Sequence, residues 1–180
     1  MERREVIRAM SAAAALSFLP RNARAVWRLV DLRTATEPLA ALTPGQGALV
    51  NAIADTIIPR TDTPGASDVN VLGWVDVVVA EYYSDDEKAT FLAGLDAIDA
   101  AAKARGGATV TGMKQNERDE FVGTLEKLTN RREEPSRTYW RLKGLVIHGY
   151  FTSEKVQKQV LKTEVMPGRF VGDAPHVVKS

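Results

Sequence analysis

Cysteine is absent from the 180 residues, which removes thiolate catalysis, disulfide staples and cysteine-ligated zinc or iron-sulfur centres from this chain. Histidine is scarce: His148 and His176 stand alone, outside any zinc-like i, i+4 pair and away from a serine nucleophile motif. There is no Gly-rich dinucleotide or phosphate loop, since Gly45-Gln-Gly47 is a lone pair opening a helical pattern. FAD and NAD therefore have no evident home here, and redox chemistry needs a borrowed cofactor. Charge of one sign is also lacking. The formal net charge is +1, with no clustered basic face of the kind that nucleic-acid phosphates require.

What is present is ordinary globular material. Hydrophobic residues make up 44% and charged residues 26%, which excludes both wholesale disorder and a polytopic membrane protein. A length of 180 residues fits one domain. The small net charge hides an asymmetry: the first 25 residues carry five arginines against two glutamates, leaving 19 of the 24 bases and 21 of the 23 acids for a slightly acidic body. That leading stretch reads as a targeting segment. Met1-Glu-Arg-Arg-Glu opens onto an uncharged run from Ala9 to Pro20, and Ala23-Arg24-Ala25 supplies small residues at the two positions read by a signal peptidase. The run is too short to span a bilayer. Arg3 and Arg4, followed by Val6 and Ile7, resemble a twin-arginine export signal, which implies passage through the twin-arginine translocase. Glu2 departs from the usual Ser or Thr, and an amphipathic N-terminal helix with a chance Arg pair is the competing reading.

Residues 26–41 show weak patterning and are expected to be an arm or linker; residues 42–180 are expected to form the helical domain. Thr43-Pro44-Gly45-Gln46 forms a capping box with Pro at the first helical position. Leu49, Ala52, Ile53, Thr56 and Ile57 follow at helical spacing up to Pro59. Leu72, Val75, Val78, Val79 and Tyr82 are in phase for a second helix, although Val77-Val78-Val79 also suits a buried strand. Ser84-Asp-Asp-Glu87 is another capping box, with the stripe Phe91, Leu92, Leu95, Ile98 and Ala102 and a Gly106-Gly107 stop. A fourth helix over about 114–128 buries Phe121, Val122, Leu125 and Leu128, and a fifth over about 136–148 buries Tyr139, Trp140, Leu142, Leu145 and Val146. The expected fold is all-α, a small bundle of about five helices with two long non-helical segments, 59–70 and 149–180, the second an irregular C-terminal tail.

Long irregular segments in a compact domain carry function or disorder. The first holds Pro59, Arg60, Thr61, Asp62, Thr63, Pro64 and Gly65; the prolines, the turn-forming Thr and Asp and a glycine permissive of positive φ suit one ordered shape. The second begins Gly149, Tyr150, Phe151, Thr152, Ser153, Glu154, two aromatics directly after a helix. Aromatics beside an Arg are the material of interface anchors, whereas the bland alternative has Tyr150 and Phe151 closing the bundle end and Arg60 acting as a helix C-cap cation. Asp62, Asp68 and Asn70 offer oxygen ligands, but without the acidic alternation and terminal Glu of a calcium loop; no metal is expected.

The run Asp55-Thr-Ile-Ile-Pro-Arg-Thr-Asp-Thr-Pro-Gly-Ala66, the segment Gly149–Glu154 and Pro167-Gly-Arg-Phe170 resemble the gluconate 2-dehydrogenase subunit 3 family from about Leu42 to Phe170. The resemblance implies a non-catalytic, periplasmic small subunit of a sugar or polyol dehydrogenase complex, with no cofactor of its own. It implies a large partner of the glucose-methanol-choline (GMC) oxidoreductase family that holds FAD, and often a third subunit, a multihaem cytochrome c. It also implies that the small chain carries the twin-arginine signal for a large subunit lacking one. The reading from another class is a free-standing exported helical protein whose loops bind a small ligand.

Overall fold

The computed structural model describes residues 38–128 and 132–162. The signal expected at 1–25, most of the arm, and the tail from 163 onward, with Pro167-Gly-Arg-Phe170 and His176, lie outside the described residues. Among the described residues there are helices and no strands. They run α1 (Pro44–Ile57), α2 (Val71–Glu81), α3 (Asp85–Gly106), α4 (Gln115–Lys127), α5 (Ser136–Thr152) and the single turn α6 (Glu154–Val156), which continues as a π-helical turn over Gln157–Leu161. Short 3-10 turns stand before α2 at Ser67–Val69 and before α4 at Val110–Gly112. No described helix is long and apolar enough to cross a membrane.

The helix starts follow from side chains that satisfy the first-turn N–H groups. Gln46 N–H donates to the Thr43 hydroxyl at 3.2 Å and Thr43 N–H donates back to Gln46 Oε1 at 3.2 Å. Ser84 and Glu87 make the same reciprocal pair at the start of α3, and these bonds hold the Glu87 carboxyl below the usual carboxylate range. Asn70, in the left-handed region at φ 52°, caps α2 by accepting from Gly73 N–H at 3.2 Å. Gly107, at φ 74°, ends α3. The valine run 77–79 is helical, as its neighbours suggest.

Helices α1 and α5 each pack against the other four long helices, around a core that includes Val50, Ile53, Val75, Phe91, Leu95, Ile98, Tyr139 and Leu142. Two residues expected inside are outside. Tyr82 and Leu128 are exposed, because each is the cap just past a helix end, where the helical phase no longer fixes a side chain's direction. Helix α5 also runs four residues past the expected end at His148, so that Gly149, Tyr150, Phe151 and Thr152 form its last turn rather than a loop. The stretch after it is helical again to Leu161, where irregular chain was expected. Gly149, expected to begin the irregular segment, is a helical contact residue, since a Cβ there would lie 2.5 Å from the Trp74 ring.

The entry into α1 is held from a distance. Asp76 on α2 is buried, and its carboxylate accepts the N–H groups of Ala40 (2.6 Å), Ala41 (2.9 Å) and Leu42 (2.9 Å). Hydrogen bonds to a charged acceptor contribute about 1.5–3 kcal/mol each. The end of the expected arm is thus fixed to the core, with Leu39 packed over Gly47, where a Cβ would meet Leu39 Cδ1 at 2.6 Å.

A close helix crossing lies between α3 and α5, where a Cβ on Gly94 would stand 1.8 Å from Thr138 Oγ1. Gly144, on α5, has open space around it. Gly94→Ala is therefore expected to destabilise by about 1–3 kcal/mol through overpacking, whereas Gly144→Ala stabilises by about 0.5–1 kcal/mol through helix propensity. Thermal melts by circular dichroism should show Tm moving in opposite directions, at roughly 2–4 °C per kcal/mol. Equal effects would contradict the crossing.

Candidate functional site

The two segments singled out in the sequence meet at one end of the bundle. After α1, the chain from Ile58 to Ala66 closes on itself, Ala66 N–H donating to Ile58 O at 3.0 Å. Inside this ring Thr61 N–H donates to Thr63 O at 3.1 Å, and the Thr61 hydroxyl donates to Asp62 Oδ1 at 2.9 Å. The loop is tied back at both flanks. Asp55 accepts Ser67 N–H at 3.0 Å as well as the Ser67 hydroxyl; Asp68 accepts Gly65 N–H at 2.9 Å and pairs with Arg60. Arg60 is thus a partner within the loop and not a helix cap, and its side chain remains 73% exposed. Asp68 and Asn70 are engaged in loop closure and capping. Gly65 is required for room rather than for positive φ: a Cβ there would lie 2.8 Å from Arg60 N. Among the described residues no three His, Asp or Glu side chains gather closely enough to hold a metal ion.

The clamp between the two segments is Tyr150. Its hydroxyl donates to Pro64 O at 2.7 Å, across 86 positions of sequence. The pair of adjacent aromatics divides its work. Tyr150 is 5% exposed and belongs to the core, whereas Phe151 is 45% exposed and packs edge-on against the Tyr150 ring, centroids 5.3 Å apart. Beyond Phe151 the chain turns at Ser153, whose hydroxyl donates to Tyr150 O at 2.7 Å and caps α6 by accepting from Val156 N–H at 3.4 Å. Thr152 folds its hydroxyl onto His148 O at 2.7 Å, and Glu154 pairs with Lys158 at 2.6 Å. His148 stacks on Trp74, centroids 5.2 Å apart at 23°. Of the predicted positions, Pro59, Arg60, Thr61 and Asp62 of the loop and Phe151, Thr152 and Glu154 of the corner are exposed, while Gly65, Gly149 and Tyr150 are buried supports.

Beside this end runs an open groove of about 460 Å³ between the end of α1, α4 and the second half of α5. Ile57, Ile58, Val122, Ile147 and Phe151 give it apolar walls. One side carries a polar cluster: Glu126 accepts from the Tyr139 hydroxyl at 2.7 Å and from Lys143, whose ammonium also lies 5.2 Å from the Trp140 ring centre. The bonds from Lys143 and then Tyr139 hold the Glu126 carboxyl below the usual carboxylate range. Burial, and then the bond to Glu126, pushes the Tyr139 phenol well above its ordinary value. The sequence reading did not find this groove. Its one legible sign is Leu145-Val146-Ile147, three consecutive apolar residues on a helix, more than a single buried face needs.

The sign of the Glu126 effect sets a pH dependence. A carboxyl held low in the folded chain stabilises it fully above the unfolded value of about 4.3, and that contribution is lost as pH falls through the folded value. Wild type should therefore melt above Glu126→Gln at neutral pH, with the gap narrowing as pH drops below about 4.3. A gap in Tm that does not change between pH 7 and pH 3 would show that the cluster leaves Glu126 unperturbed.

Against known proteins, the chain matches the family described as gluconate 2-dehydrogenase subunit 3 over residues 44–168. No curated protein and no solved structure matches it.

Proposed function

Because the chain belongs to the gluconate 2-dehydrogenase subunit 3 family, we propose that it is a non-catalytic accessory subunit of a dehydrogenase complex, exported with and stabilising a catalytic subunit of the GMC oxidoreductase type. In this reading the FAD resides in that large subunit and haem in a multihaem cytochrome c, while this chain holds no cofactor. The complex works in the periplasm on a sugar or polyol, and the twin-arginine pair Arg3-Arg4 carries both proteins across the membrane.

The observation that carries this reading is the convergence of residues 59–65 and 149–154, both inside the matched region, on one end of the bundle. Polar and glycine contacts fix the backbone there, and Arg60 and Phe151 are left exposed. An exposed aromatic and a planar cation on two segments tied together at one end of the bundle are suited to a protein partner, because little rotamer entropy is lost on binding. In this reading Phe151 and Arg60 touch the partner, and Tyr150, whose hydroxyl reaches Pro64 O, holds the loop beneath them.

Truncating a central aromatic anchor commonly costs about 2 kcal/mol of binding, roughly thirtyfold in affinity. Phe151→Ala is expected to weaken binding of the FAD subunit by that order with Tm nearly unchanged. Tyr150→Phe, which loses one hydrogen bond worth about 1 kcal/mol, should lower Tm first. Titration calorimetry beside circular dichroism checks both, and unchanged affinity in Phe151→Ala at native helicity would remove this corner from the interface.

Export is tested separately. Replacing Arg3 and Arg4 by Lys should leave this chain and its catalytic partner in the cytoplasm together, read by fractionation and by dehydrogenase activity in the periplasm. Normal periplasmic activity in the double variant would refute the shared signal.

A further inference from the structure

Residues 38–42, ahead of α1, belong to no helix, and among the described residues no backbone–backbone hydrogen bond holds them. We propose that they form a strap that docks and releases as one unit, with the Asp76 carboxylate as its single latch, so that the strap closes only once α2 has packed on α1.

Three observations support a latched strap rather than a fixed edge of the core. First, the latch is one group. Asp76 Oδ1 accepts the N–H groups of Ala41 and Leu42, and Oδ2 accepts that of Ala40. Consecutive N–H groups turned toward one point form the kind of concavity that receives an anion, and here the anion is a side chain of α2, 34 to 36 positions further along the chain. Second, no cation shares that carboxylate: Asp76 is buried and makes no ion pair among the described residues. The strap therefore supplies the polar contacts that a buried carboxylate requires, and neither side is satisfied without the other. Third, the strap covers an apolar seam. Leu42 is buried in the core, and Leu39 and Ala41 pack against it. Leu39 lies over Gly47 of α1, where a Cβ would stand 2.6 Å from Leu39 Cδ1 and 3.7 Å from Leu72 Cδ1 of α2.

Docked, the strap seals the seam between α1 and α2. Released, it opens that seam and bares Leu39 and Leu42 without unfolding the helices, a local opening of the sort that proteolysis detects. A chain whose α2 is misplaced has no anion for the strap and cannot close it, so closure reports that the α1–α2 pair is complete. The inference holds whatever residues 1–37 do and whichever subunit the chain joins.

Amide hydrogen exchange on the full-length chain, read residue by residue by NMR and corrected for intrinsic rates, tests this. In Asp76→Asn the side chain keeps one acceptor and turns a donor toward the strap. The amides of Ala40, Ala41 and Leu42 should then exchange at least about tenfold faster than in wild type, while those of Val50, Ile53 and Val75 inside α1 and α2 stay within about twofold. Leu39→Ala, which trims the apolar side of the strap and leaves the latch, should change the three strap rates much less than Asp76→Asn does. An equal rise in both variants would put the hold in the apolar seam; faster exchange throughout the bundle in Asp76→Asn would make the strap part of the core; unchanged rates would remove the carboxylate as a latch. Each of these overturns the proposal. Thermolysin supplies a second readout: new cuts beside Leu39 or Leu42 are expected in Asp76→Asn and not in wild type, and their absence would equally overturn it.

Discussion

Helix α5 is approached closely on two flanks, and in both places the approach depends on a glycine. At Gly94 on α3 the neighbour is Thr138 near the start of α5; at Gly149 near its end the neighbour is Trp74 of α2. Packed interiors transmit displacements of this size rather than absorb them. A side chain at either crossing moves α5 as a body, and Tyr150 and Phe151 ride on its last turn. The geometry of the loop-bearing end is thus set by contacts elsewhere along α5 as well as by its own hydrogen bonds.

That end shows how a rigid recognition surface is made from an irregular segment. The loop after α1 has no secondary structure to satisfy its backbone, so Asp55, Asp68 and the Tyr150 hydroxyl take the place of a ladder. The groups that do this lie inside or underneath, and Arg60 and Phe151 are among those left pointing out. Two neighbouring aromatics with the same local sequence environment end in opposite roles because a helix turns about 100° per residue.

The helical organisation was legible because its signals are local. Capping boxes at Thr43 and Ser84, the Gly106-Gly107 stop and the stripe from Phe91 to Ala102 act within a few residues of one another. What escaped the sequence reading is set by partners far away in the chain. Gly149, where the helical pattern was expected to end, and Gly94 are packing residues whose neighbours lie on other helices. Asp76 looks like one more polar helix position, but serves donors 34 to 36 residues earlier. At the candidate site the residues of the loop and corner were identified, and their division into supports and exposed anchors was not, since burial at a helix end depends on tertiary phase. The groove escaped for the same reason: Ile57, Val122 and Ile147 come from separate helices.

The Asp76 clamp also has a mechanical meaning. The described body begins just before Leu39 to Leu42, and there three hydrogen bonds tie the backbone to α2. Tension on the N-terminal side reaches α2 through those bonds before it can peel α1 from its first turn. Because the bonds share one carboxylate, they resist together and fail together.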